Sequence, residues 1–269
     1  MVMLAAGDGA ELYAETHGEG LPVVFSCALC TTHVNWAPQV EPLVAAGFQV
    51  TLWDYRGHGR SSVPSDAGAY SMDRVVDDLG RVLDWAAPDR AAVLAGLSFG
   101  GLTSLHFSLR HPERVRGLLL VDSGPGFKNP KAQAGWAEAV EKTAAFVESH
   151  GVAKFVEKAG DTMVGLRPEL PAAKAAAAAI AAQDPAGLAH FARRVAGVAP
   201  PVIDELPSIG APALVIVGEK DAPYLRAAEV MTAKLPNAEK LVIPGAGHIV
   251  NIEAAEVFDA AAIAFLSRF

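Results

Sequence analysis

The sequence is poor in cysteine, in basic charge and in long apolar runs. Its 2 cysteines in 269 residues are too few for a disulfide framework. Lys and Arg total 22 against 30 Asp and Glu, which gives a formal net charge of −8. An acidic chain with no basic run is a poor candidate for nucleic-acid binding. No apolar stretch approaches the roughly 20 residues that span a bilayer. The start, MVMLAAGDGAELYAE, has no basic segment and no long apolar one, so no signal peptide is read there. The expectation is a soluble, cytoplasmic protein without membrane or nucleic-acid partners, as monomer or homodimer. Apolar residues, in contrast, make up 51% of the chain, enough for a sizeable core and too many for intrinsic disorder.

Short apolar runs alternate with helical patterns. Leu21–Ser26, Phe48–Trp53, Ala91–Ala95, Gly117–Val121, Ala213–Val217 and Lys240–Ile243 read as buried strands. Leu4–Ala6 and Leu12–Thr16, split by GDG, read as an opening hairpin. Asp73–Trp85 carries Val75, Val76, Leu79, Val82 and Leu83 on one helical face, and Leu225–Leu235 and Glu253–Phe265 are similar. Strand–helix alternation implies an α/β fold whose mostly parallel sheet is covered on both faces. From Phe127 to Leu206 no strand pattern occurs. Alanine-rich and proline-punctuated helical segments fill this stretch. It is too long for a loop, and an insertion at the carboxyl ends of parallel strands commonly shapes a ligand crevice.

The strongest local signal is Gly96-Leu97-Ser98-Phe99-Gly100-Gly101, between a predicted strand and the predicted helix Leu102–Arg110. That is the context of a nucleophile elbow. The turn strains the serine backbone, the flanking positions must be small, and the hydroxyl projects at a helix N-terminus. A serine nucleophile needs a base. His248 lies in Pro244-Gly245-Ala246-Gly247-His248, after the last predicted strand, on the face shared with Ser98; His33 and His58 are weaker competitors. The base needs an orienting carboxylate. Asp221 follows the strand Ala213–Val217, with Glu219 and Asp122 as competitors, and gives the chain order Ser98, Asp221, His248. Cys27-x-x-Cys30 has no further ligands at metal spacing, so no metal site and no cofactor are expected.

Trp53-Asp54-Tyr55-Arg56-Gly57-His58-Gly59-Arg60-Ser61-Ser62, Gly96–Gly101, Gly218–Asp221 and Gly247-His248 together resemble α/β-hydrolase-fold enzymes over essentially the whole chain. Ser26–Trp36 followed by DYRGHGRSSVP is similar to the 3-oxoadipate enol-lactonase branch of carboxylic ester hydrolases. The resemblance implies an eight-stranded, mostly parallel sheet. It implies a core of residues 1–126 and 207–269 and a helical cap, 127–206, between the sixth and seventh strands. It also implies that the Leu29 and Phe99 amides form an oxyanion hole. Most relatives carry His-Gly where this chain has Cys27-Ala28, and Cys30 takes a position often held by glycine. The expected activity is cleavage of a small to medium, mainly apolar ester or lactone by Ser98, His248 and Asp221. The neighbouring alternatives are a cofactor-free perhydrolase or haloperoxidase and a ligand receptor with little turnover. Cys30, Trp136, Val140, Phe146, Met163, Leu166 and Phe191 are expected to line the pocket. Arg167, Arg193 and Arg194 are the arginines of the cap that could hold a substrate carboxylate.

Overall fold

Strands β1 (Val2–Ala5), β2 (Glu11–His17), β3 (Leu21–Ser26), β4 (Phe48–Trp53), β5 (Ala92–Leu97), β6 (Val115–Val121), β7 (Ala213–Gly218) and β8 (Ala238–Ile243) form one sheet. The structure is a computed structural model that describes residues 1–159 and 165–269. The strand order is β1-β2-β4-β3-β5-β6-β7-β8. β2 pairs antiparallel with β1 and β4, and the remaining neighbours run parallel. All residues of β4, β5 and β7 are buried. A strand covered on both faces favours apolar residues at every position, and β5 and β7 follow that rule. The two polar residues of β4 are buried with partners, Gln49 Nε2 donating to Ala86 O and Thr51 Oγ1 sharing a hydrogen bond with Thr16 Oγ1.

The helices are α1 (Ala37–Ala45), α2 (Met72–Ala86), α3 (Phe99–Arg110), α4 (Pro130–His150), α5 (Val152–Ala159), α6 (Pro171–Ala181), α7 (Pro185–Arg194), α8 (Ala222–Lys234), α9 (Val250–Glu253) and α10 (Ala255–Leu266). Caps mark several starts. Ser71 Oγ accepts from Arg74 N before α2, Asn129 Oδ1 from Lys131 N before α4, and Asp184 Oδ1 from Ala186 N before α7. The helix read over Glu253–Phe265 is α10, which starts two residues later; Glu253 instead ends the short α9, and Ala254 (φ −133°, ψ 47°) separates the two. Glu253, at the end of α9, has a buried carboxylate that accepts from the amides of Leu166, Gly247 and Ile249. Among the described residues no helix is long and apolar enough to cross a membrane.

Helices α4, α5, α6 and α7 all lie between β6 and β7. They have an apolar cluster of their own, built from Val140, Ala144, Val147, Val152, Ile180, Leu188, Ala189 and Ala192. Cys30, from the loop after β3, is buried in the same cluster. Two polar ties fasten the insertion to the sheet's loops. Gln183 Nε2 donates to Cys30 O (2.7 Å), and its Oε1 accepts from Gly59 N (2.8 Å). Gly187 meets Gly57 backbone to backbone: a Cβ on Gly187 would lie 2.5 Å from Gly57 O.

The loop Asp54–Ser62 is held from within. The Asp54 carboxylate accepts from His33 N, His33 Nδ1 and Arg60 N. Arg56, with 1% of its side chain exposed, makes a two-pronged contact with Asp78 at 2.7 Å per bond and reaches Asp8 and Ala69 O. Burial pushes the Asp78 carboxyl up from its ordinary value in spite of Arg56. Removing one member of such a pair strands the other. Asp78→Ala is therefore expected to lower unfolding free energy by about 3–5 kcal/mol, read from urea denaturation. A change under about 1 kcal/mol would show that the pair is replaceable by water.

Candidate active site

The loops that end β3, β5, β7 and β8 bring the motif residues together at the carboxyl edge of the sheet. Ser98 stands between β5 and α3 with φ 54° and ψ −114°, a conformation that costs energy for any residue with a Cβ. The flanking glycines make it possible. A Cβ on Gly96 would lie 2.2 Å from Gly100 C, one on Gly100 would lie 2.3 Å from Ser26 O, and one on Gly101 would meet Ser123 Oγ at 2.2 Å. Ser98 N donates to Val121 O (2.8 Å), and Ser123 Oγ donates to Ser98 O (2.6 Å). The helix starts at Phe99, three residues earlier than the sequence pattern indicated, because the turn leads straight into α3.

Ser26 to Thr31 forms the neighbouring loop. Thr31 N donates to Ala28 O (3.1 Å), so Leu29 and Cys30 are the central residues of a tight turn. Cys30 has φ 64°, the left-handed conformation for which glycine is usual at this turn position. Its amide donates to His58 Nε2 (3.2 Å), and the His58 ring packs on Phe191 at 4.5 Å. Burial pulls His58 down to about 4, so the neutral ring accepts that bond. Among the described residues the Leu29 amide has no hydrogen-bond partner. Phe99 is the first residue of α3, where a helix leaves its amides unpaired. These two amides are the ones expected to hold an oxyanion.

His248 Nδ1 lies 2.7 Å from Asp221 Oδ2, and both side chains are largely buried. Their loops are laced together: Lys220 N donates to Ala246 O, Glu219 N donates to Ile243 O, and Glu219 Oε2 accepts from Gly245 N. Glu219 is thus engaged with the loop backbone and not with the imidazole. His33 and His58, the competing histidines, are bound to Asp54 and Cys30.

Asp122 adjoins the pair. Its backbone has φ 41°, its Oδ1 accepts from Gly218 N (2.8 Å), and burial pushes its carboxyl well above the ordinary value, helped by the Asp221 carboxylate. Potential ligand atoms of Asp122, Asp221 and His248 lie within 4.8 Å of one another. As placed, His248 and Asp221 are hydrogen-bonded to each other and Asp122 to the backbone.

Tyr224, in the first turn of α8, has no motif to announce it. Its Oη is 3.2 Å from Ser98 Oγ, and its ring lies 4.7 Å from the His248 ring at 31°. Among the described residues Ser98 Oγ makes its side-chain hydrogen bond to Tyr224, and none to His248. Burial raises the Tyr224 phenol, which keeps it neutral.

The residues read as pocket lining divide. Phe191 is fully buried with its ring 5.3 Å from Phe99, beside the elbow. Leu166 covers Gly247, next to His248. Cys30 and Val140 belong to the insertion's cluster, and Trp136 packs on that cluster with Nε1 donating to Ala196 O. Phe146 corrects the reading. α4 turns Val140, Ala144 and Val147 inward and leaves Phe146 on its flank, stacked on His150 with Lys158 over the ring. Met163 lies outside the described residues. Arg193 is saturated by Glu141 and Glu148, Arg167 pairs with Glu169, and Arg194 is exposed. Arg193 therefore has no free donor fork for a substrate carboxylate.

Comparisons with known proteins agree with this architecture. The family model described as alpha/beta hydrolase fold matches residues 22–255. Two proteins named "Putative carbamate hydrolase RutD" are similar. The one from Variovorax paradoxus is 30% identical over 267 residues, covering 96% of each chain. The one from Azorhizobium caulinodans is 42% identical over 118 residues, which is 44% of this chain and 43% of that protein. Among solved structures, an esterase from Thermogutta terrifontis superposes with a TM-score of 0.86 at 28% identity, covering 99% of this chain and 98% of the other. The enol-lactonase from Burkholderia xenovorans gives 0.83 at 28%, covering 98% and 99%. With the family model spanning most of the chain and the sheet, elbow and loops in their matching order, the chain belongs to the alpha/beta hydrolase fold family, as a hydrolase.

Proposed function

We propose that the protein is a serine hydrolase that cleaves small to medium, mainly apolar carboxylic esters or lactones through an acyl-enzyme. One observation carries the reading. A strained serine at a helix N-terminus shares its immediate surroundings with a histidine whose far nitrogen is bound to a buried aspartate. In this reading Ser98 Oγ attacks the carbonyl carbon while His248 Nε2 accepts its proton. Asp221 fixes the ring tautomer with the proton on Nδ1 and stabilises the imidazolium. The Leu29 and Phe99 amides receive the negative oxygen. His248 returns the proton to the leaving alkoxide, and water repeats the sequence on the acyl-enzyme. The insertion between β6 and β7 acts as a cap whose contribution to the site is apolar, chiefly Phe191 beside Phe99 and Leu166 over Gly247. Binding by apolar burial, worth roughly 25 cal/mol per Å², favours compact apolar acyl groups.

The test is a kinetic panel of neutral aryl and alkyl esters, lactones, carbamates and carboxylate-bearing esters, with peracid formation measured in parallel. The expected result is higher kcat/KM for neutral esters or lactones than for long-chain triglycerides, and no special preference for acidic substrates. Best turnover on carbamates would move the assignment to the chemistry named for the two relatives. Peracid yield exceeding hydrolysis would move it to perhydrolase. Stoichiometric acylation without turnover would make the protein a receptor.

A further inference from the structure

We infer that Tyr224 is a catalytic residue whose phenol donates a hydrogen bond to Ser98 Oγ when that oxygen is the leaving group in deacylation. The inference rests on the serine reading above. Three observations carry it. Tyr224 Oη is 3.2 Å from Ser98 Oγ. The same ring packs on His248 at 4.7 Å, so the hydroxyl is held beside the nucleophile by a contact with the base. The phenol makes no other hydrogen bond among the described residues, so its single proton is free to point at Ser98.

The direction of the effect follows from where charge develops. In acylation Oγ begins neutral and gives its proton to His248 as it bonds to the carbonyl carbon. The Tyr224 hydrogen bond is already made to the free serine, so it stabilises the resting enzyme and the attacking transition state to similar extents and largely cancels in acylation. In deacylation water adds to the acyl carbon and its proton passes to His248. The carbon–Oγ bond then breaks, the electron pair goes to Oγ, and His248 protonates it. Negative charge grows on Oγ during that step, and a donor already aimed at it stabilises the transition state more than the acyl-enzyme. Tyr224 keeps its own proton throughout.

Tyr224→Phe retains the ring on His248 and removes only the hydroxyl. With p-nitrophenyl acetate and butyrate, kcat should fall about ten-fold while kcat/KM, which reports acylation, stays within about two-fold. Stopped-flow traces should show a burst of about one equivalent of nitrophenol, with acetyl-enzyme accumulating by intact mass. The steady-state rate should no longer depend on the alcohol across acetate esters of different leaving groups. An unchanged kcat, or an equal fall in kcat and kcat/KM, would overturn the assignment. If the wild type itself forms no acyl group on Ser98, the serine reading fails first. An acylated wild type with an indifferent Tyr224→Phe variant sinks the tyrosine alone.

Discussion

Replacing Ser98 by alanine is expected to lower kcat for a good ester substrate by about 10⁴- to 10⁶-fold, with little change in thermal stability. The loss is large because the nucleophile begins the covalent route and no described neighbour can replace it. Tyr224 Oη is near, but its raised phenol is a poor nucleophile. The two cysteines are buried, with Cys30 pushed up to about 12 and Cys27 well above its ordinary value. A residual rate from the oxyanion amides and binding should remain. Stability should hold because the strain lies in the backbone, and alanine accepts the same turn between Gly96 and Gly100 at similar cost. Activity within about ten-fold of wild type in a clean preparation would remove Ser98 from the mechanism.

The second large effect separates the two buried aspartates. Asp221→Asn should reduce kcat by about 10⁴-fold, because an amide cannot hold the imidazole in the required tautomer or stabilise imidazolium. Asp122→Asn should keep activity within about ten-fold, since burial already disfavours the charged carboxylate and an amide of the same size keeps an oxygen to accept from Gly218 N. Asp122→Asn should also change how stability varies with pH. The folded-state Asp122 carboxyl lies above its unfolded value of about 3.9. Above that pH the folded protein retains a proton that the unfolded chain releases, so stability falls as pH rises. Asp122→Asn carries no such proton, and its stability relative to wild type should rise from pH 4 to pH 8, read by denaturant midpoints. The reverse activity pattern, with Asp122→Asn inactive and Asp221→Asn nearly intact, would hand the orienting role to Asp122.

The strand pattern and the elbow were legible because local sequence forces them. A buried central strand such as β5 reads as a continuous apolar run, and an inverted backbone at Ser98 requires glycine at 96 and 100. Asp221 and His248 were legible from their place after β7 and before α9, and their 2.7 Å contact follows that placement. Tyr224 was not, because three residues past Asp221 a tyrosine reads like any helix-face aromatic. Only the approach of α8 to the elbow gives it meaning. Glu253 and Gln183 were missed for a related reason. A polar residue that caps a distant loop carries no periodic signal of its own. The insertion was legible as helical from composition. Which flank of α4 turns inward was not, since alanine-rich helices offer several similar apolar stripes, and Phe146 was accordingly read on the wrong side.

The most direct test of the serine reading is covalent capture with an aryl alkylphosphonate, which reacts as an ester and leaves a stable adduct in the oxyanion site. One adduct per chain should form. Peptide mass spectrometry should place it on Ser98, within Gly96–Gly101, and esterase activity should disappear in proportion to labelling. Ser98→Ala should remain unlabelled, and Tyr224→Phe should still be labelled. Labelling of another residue, or full hydrolytic activity in a protein carrying the Ser98 adduct, would contradict the account.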